Sequence, residues 1–210
     1  MLAISSATKE AYIGIEANGK RVFANIDANC KQSESILVKI DEMLEQNVIE
    51  ANDIGNIAVV VGPGSFTGIR IGIALVKGLC AGKKERVVAI SSLDYLAREV
   101  LKSKPESDYI CAIDALSGLV YVKEFDKSGN GLCEEKVITR EEFEKCKLKK
   151  FGLEEESVCE NKVSLTSKTL LEIALEKEGQ KQFVDVKSIA PIYLRKSQAE
   201  ENLKKNKKTS

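Results

Sequence analysis

The chain has 210 residues, of which 43% are hydrophobic and 30% charged, enough for one large domain or two lobes of about 100 residues each around a real core. Basic and acidic residues balance at 32 each, so no net field draws the chain toward phosphate or a membrane surface, and aromatics at 5% with no Trp argue against a base-stacking surface for single-stranded nucleic acid. Histidine is absent, which excludes Ser-His-Asp and Cys-His nucleophile systems and His-ligated zinc.

In chain order, residues 2–5, 11–16 and 21–27 read as three short strands, and Asn18-Gly19 between the last two is a strong hairpin signal. Residues 33–46 carry Ile36, Leu37, Ile40, Met43 and Leu44 at helical spacing, with Ser33 as N-cap and Glu34 in the first turn. A helical turn at 51–54 precedes a β-branched run at 57–61, the pattern of a strand buried on both faces. Residues 65–81 read as a helix ended by Gly82. Another buried strand follows at 86–90, then a helix capped by Ser91 or Ser92 and running to about Lys102.

The segment around Lys104-Pro105-Glu106-Ser107 is the best boundary, and a second cycle begins after it. Strands are expected at 109–114, 120–125 and 137–139, a short charged helix at 141–147, weak strand or loop near Phe151 and Val158, and a clear helix at 167–179. The predicted organisation is a lobe at 1–104, a smaller degenerate lobe at 105–195, and a polar tail at 196–210 that is disordered by composition. Lys204, Lys205, Lys207 and Lys208 also allow the tail to be read as an arm for an acidic partner such as RNA.

The six cysteines, Cys30, Cys80, Cys111, Cys133, Cys146 and Cys159, contain no CxxC pair, so neither a zinc site nor a thioredoxin-like motif is expected. Cys80 and Cys111 lie in apolar runs and read as small buried hydrophobes. The first residues lack a basic and then apolar leader pattern, and no apolar stretch is long enough to span a bilayer. A reducing, cytoplasmic location is expected.

The densest signal is Val59-Val60-Val61-Gly62-Pro63-Gly64-Ser65-Phe66-Thr67-Gly68-Ile69-Arg70-Ile71-Gly72-Ile73-Ala74. A buried strand runs into a Gly62-Pro63-Gly64 turn, after which Ser65 or Thr67 can cap a helix. Free N–H groups at such a helix start can hold an anion, but Gly-Lys-Ser/Thr of a Walker loop is missing and the glycine spacing is not that of a dinucleotide fingerprint. Gly64, Gly68 and Gly72 line one face, and each glycine inside a helix costs up to about 1 kcal/mol relative to alanine, so close approach of another backbone is expected to compensate. Ile69, Ile73 and Val76, with Ile71 and Leu75, leave little polar surface. Such a helix is buried on nearly all sides, either within one domain or between the domain's sheet and another molecule.

These residues resemble the GPGSFTGxRxG signature of the TsaB (YeaZ) family of tRNA threonylcarbamoyladenosine biosynthesis proteins. Ser33-Glu34 is similar to the family's HSE, Ser91-Ser92-Leu93 to its SSL, Asp114-Ala115 with Val120-Tyr121 to its DAR…VY, and Pro191-Ile192-Tyr193-Leu194-Arg195 to its PxYLR. The resemblance covers about residues 1–196, strongly in the first hundred.

It implies an α/β fold of the actin-like ASKHA superfamily: two tandem RNase H-like lobes, the first a mixed five-stranded sheet flanked by helices. It further implies a noncatalytic subunit that supports a TsaD-like catalytic subunit, with a TsaE-like ATPase, in transferring threonylcarbamoyl to A37 of ANN-decoding tRNAs. Contact with tRNA would come mainly through the complex. The family's first two helices serve a homodimer and the TsaD contact alike, which here implicates Ile36, Ile40, Met43, Gly68, Ile69, Gly72, Ile73 and Val76. Gly62, Pro63, Gly64, Ser65, Thr67 and Arg70 form the motif turn and cap; Arg70 itself reads as a surface or interface ion-pair donor and not as a catalytic group.

The sequence departs from the family pattern in places. Gln32 stands for the family's His and Leu116 for the Arg of DAR, and Ser5 replaces the aspartate of the opening motif. In superfamily enzymes that aspartate helps hold the metal–phosphate complex, so no catalytic residue, no metal ligand and weak or no nucleotide binding are expected. A sugar or carboxylate kinase of the same superfamily would need an acid that only Asp114 could match. A peptidase would need a base that the sequence does not offer.

Overall fold

A computed structural model of the chain describes residues 1–81, 86–156 and 158–194. The predicted helix stop at Gly82, Arg195 and the tail at 196–210 lie outside the described residues. Among those described, no helix is long and apolar enough to cross a membrane.

Three antiparallel strands open the chain: β1 (Leu2–Ser5), β2 (Ala11–Ala17) and β3 (Lys20–Ile26). Asn18 and Gly19 adopt φ of 52° and 72°, and Ala17 pairs with Lys20, the mirror-image turn that Asn-Gly favours. Helix α1 (Gln32–Asn47) starts one residue before the predicted range. Lys31, not Ser33, is the N-cap, and it makes no side-chain cap bond. Gln32 explains the difference: its side chain turns back and donates to the carbonyls of Thr8 (3.1 Å) and Lys9 (2.8 Å).

Strand β4 (Ile57–Gly62) lies between β1 and β5 (Val87–Ser91), parallel to both, giving a sheet ordered β3-β2-β1-β4-β5. Every residue of β1 and β4 is buried, as expected of strands covered on both faces. Helix α2 (Phe66–Leu79) packs with α1 on one face. Helix α3 (Ser92–Leu101), capped by Ser91, covers the other.

The second sheet is ordered β10-β9-β6-β7-β8. Strands β6 (Tyr109–Asp114), β7 (Leu119–Phe125) and β8 (Lys136–Thr139) form an antiparallel meander. Helix α4 (Arg140–Lys145) begins earlier than predicted because Thr139 and Glu142 form a reciprocal capping box. Strands β9 (Lys149–Leu153) and β10 (Asn161–Val163) add on in parallel, with no helix among the described residues between them. The second unit thus repeats the strand order of the first without its α2.

Helix α3 touches both sheets and sits between them. Tyr109 joins its packing: the ring lies 5.6 Å from those of Phe125 and Phe151, and the hydroxyl donates to the carbonyl of Ala97 on α3 at 3.3 Å. The strands of one sheet all precede residue 104 and those of the other all follow it, while the covering helices do not divide at that point. Helix α5 (Ser167–Gly179), inside the predicted second lobe, packs across β1, β2, β3 and β5 of the first sheet. Ser167 donates to the carbonyl of Ala24 at 2.8 Å, and the N–H of Val184 donates to the carbonyl of Val87 at 2.8 Å.

Candidate functional site

At the end of β4, Gly62 has φ 108°, the Gly62–Pro63 bond is cis, and Gly64 has φ 154°. Ser65 then caps α2, its side chain accepting from the N–H of Gly68 at 3.2 Å. Its own N–H donates to the carbonyl of Ala7 at 2.8 Å. At Gly64 and Gly68 the glycine face meets backbone, as its spacing predicts, and that backbone is the chain's own; at Gly72 it meets a side chain. A Cβ on Gly64 would lie 2.4 Å from the Ala7 carbonyl oxygen, and one on Gly68 1.8 Å from that of Ser6. On Gly72 it would lie 2.6 Å from Ser6 Oγ. The segment after β1 is thereby clamped under the first turns of α2.

The residues predicted for partner contact lie on the inner sides of α1 and α2. Ile36, Ile40 and Met43 of α1, and Gly68, Ile69, Gly72, Ile73 and Val76 of α2, are all buried within the chain. They face the first sheet because the amphipathic period turns each helix's most apolar stripe inward. The outward sides carry other residues. Leu37 and Val38 on α1 are 51% and 57% exposed, while on α2 Ala74 is exposed and Ile71 and Leu75 are half-buried. Pro63 is buried in the turn, and Thr67 and Arg70 are exposed.

Arg70 is held in place. Its Nε donates to the Tyr193 hydroxyl at 2.8 Å, and its guanidinium carbon lies 3.7 Å from the centre of the Phe66 ring. The two rings stand 5.4 Å apart. The C-terminal segment reaches this point because the N–H of Ile192 donates to the carbonyl of Val61 at 2.8 Å. The sequence marks Arg70 and Tyr193 in separate motifs, and the fold joins them.

At the end of β1, Ser5 is fully buried, opposite Tyr12, and among the described residues its hydroxyl has no hydrogen-bond partner. Asp114, the other candidate acid, ends β6 with its carboxylate accepting from the N–H of Leu116 at 2.8 Å. Its own N–H donates to Glu156 at 2.8 Å. Burial pushes the Glu156 carboxyl up to about 7, and Glu155 and Asp114 add to the effect. Across the lobes, Lys123 bonds Asp94 at 2.7 Å, and Ser91 bonds Glu135, whose carboxyl burial likewise pushes up. Glu135 and Glu156 carry no signal in the sequence because both lie in loop-like acidic runs without periodicity. Among the described residues, no group of three His, Cys, Asp or Glu side chains is placed to hold a metal ion. Cys80 and Cys111 are buried, as read from their apolar surroundings.

A family model described as TsaD: tRNA N6-adenosine threonylcarbamoyltransferase matches residues 26–168. The chain is 31% identical over 133 residues to the tRNA threonylcarbamoyladenosine biosynthesis protein TsaB of Escherichia coli (strain K12), a segment covering 63% of this chain and 57% of that protein. It is also 31% identical over 121 residues to the protein of the same name from Haemophilus influenzae (strain ATCC 51907 / DSM 11121 / KW20 / Rd), covering 58% of this chain and 51% of that one. The matched part thus spans little more than half the length of these relatives. The fold is that of a solved structure, YeaZ from Pseudomonas aeruginosa, with a TM-score of 0.76 at 22% identity over 92% of this chain and 98% of that one.

Proposed function

Since the chain belongs to the TsaB (YeaZ) family, we propose that it is a noncatalytic subunit of tRNA N6-threonylcarbamoyladenosine biosynthesis, docking on and stabilising a TsaD-like catalytic subunit. The observation that carries this reading is the outward face of α1 and α2. Leu37, Val38, Ile71, Ala74 and Leu75 leave apolar surface exposed after the inner stripes of both helices have covered the sheet. An exposed apolar patch on two packed helices suits association with another helical surface. The same face would serve a homodimer when the chain is alone. A TsaE-like ATPase completes the proposed assembly, and tRNA is contacted mainly through the complex, in the cytoplasm.

The noncatalytic part of the reading rests on Ser5. A buried hydroxyl in place of the superfamily acid can neither ligate a metal–phosphate complex as a carboxylate does nor act as a base. The chain is accordingly proposed to bind nucleotide weakly or not at all, and titration calorimetry with Mg-ATP checks this, tight binding counting against it.

Reconstitution tests the whole reading. A mixture of catalytic subunit, ATPase, threonylcarbamoyl donor and tRNA should modify A37 only when this chain is present. Full modification without it would sink the proposal.

A further inference from the structure

We infer that Arg70 is a preorganised carboxylate receptor at the edge of the α1–α2 face, anchoring an acidic side chain of the partner protein. The inference rests on the docking reading above and adds a chemically specific contact to it. The guanidinium is fixed from two sides: Phe66, one helical turn earlier, stacks beneath it at 3.7 Å, and the Tyr193 hydroxyl accepts from its Nε–H at 2.8 Å. That leaves the two Nη groups as donors. Arg70 is exposed, and among the described residues no carboxylate lies within ion-pair distance of it.

An arginine that merely solvates a surface keeps its rotamers free. This one has already lost them, so a ligand would gain a fixed fork at little further entropic cost. Two parallel N–H donors match a carboxylate side-on. The surroundings favour a protein carboxylate over an RNA phosphate. Phe66 and Tyr193 are 38% and 50% exposed, and Ala74 is exposed one turn along the helix, so the charge sits on the rim of an apolar face. Aromatic residues and arginine concentrate binding energy in such settings between proteins.

The experiment measures affinity of the whole chain for the TsaD-like subunit, with tRNA retention by the assembled complex as a second readout. Arg70→Ala and Arg70→Lys should each weaken association by about 10-fold or more, because lysine keeps the charge but loses the fork and the stack. Tyr193→Phe, which keeps the guanidinium and removes only its Nε acceptor, should weaken it less and covers the case in which Arg70→Ala disturbs folding. Wild-type affinity for Arg70→Lys overturns the inference, since a point charge would then suffice. Unchanged association with reduced tRNA retention also overturns it, making a phosphate the ligand. If the unaltered chain itself fails to bind the subunit, the docking reading falls and this inference with it.

Discussion

The hydroxyl of Ser6 donates to the carbonyl of Gly68 at 2.7 Å across 62 residues of sequence, while the Ser6 carbonyl occupies the space a Gly68 side chain would need. One residue therefore binds the start of α2 and forbids it a Cβ. Gly68→Ala would put its methyl carbon 1.8 Å from a backbone oxygen, which cannot swing aside as a side chain would. A loss of about 3 kcal/mol or more is expected in chemical denaturation. Gly78 lies in the same helix, and a Cβ there would meet nothing within 4 Å, so Gly78→Ala should instead gain about 0.5–1 kcal/mol.

Val48 closes α1 at φ 53° and is 83% exposed. A β-branched residue in the left-handed region is strained, and its side chain covers almost nothing in return. Val48→Gly should raise stability by about 1 kcal/mol, read as a shift in denaturation midpoint at constant slope.

Leu37 and Ile73 separate docking from folding. Ile73 is 6% exposed against the sheet, so Ile73→Glu should cost several kcal/mol of stability and says nothing about a partner. Leu37 is 51% exposed, and Leu37→Glu should change stability by no more than about 0.5 kcal/mol. Under the proposed function it should nonetheless weaken capture of the catalytic subunit in a pull-down. Undiminished capture by a folded Leu37→Glu protein would move the docking face elsewhere.

Glu156 gives the stability a pH dependence of definite sign. Its carboxyl is raised from 4.5 to about 7 by burial, with Glu155 and Asp114 opposing ionisation and Lys9 favouring it. The folded state therefore holds the proton more tightly than the unfolded chain. The associated stabilisation is complete below pH 4.5 and is lost as pH rises through about 7. Glu156→Gln keeps an acceptor for the Asp114 N–H without the charge. Its advantage over the wild type should grow from near zero at pH 4.5 to as much as about 3 kcal/mol at pH 8. A difference independent of pH would contradict the assignment.

The parts of the fold that are legible in the sequence are those whose signal is local. Asn18-Gly19 fixes its turn by backbone preference, the β-branched run before Gly62 has no reading but a buried strand, and Gly64, Gly68 and Gly72 announce a close backbone contact. What lies on the far side of such a contact is not local. The same apolar residues that mark α2 as doubly covered are those the sheet takes for itself, so the residues singled out from the sequence are inner ones, and which residues face outward is legible only in the fold. Helix α5 likewise shows its own periodicity but not which sheet it will cover. The Arg70–Tyr193 bond depends on where a segment far along the chain comes to rest, and no window of sequence contains both residues.

Helix α5 also sets the order in which the chain can fold during synthesis. The first sheet is complete once β5 has emerged, yet Gly14 and the strands around it face Leu171, which follows much later. At ribosomal speeds that interval is on the order of 5–20 s. For that time the face of β1, β2 and β3 destined for α5 stands uncovered, apolar and within reach of any other nascent chain. The protein's first opportunity to aggregate therefore comes before its second half exists, and a chaperone that holds this face would be needed only until residue 179 has left the ribosome.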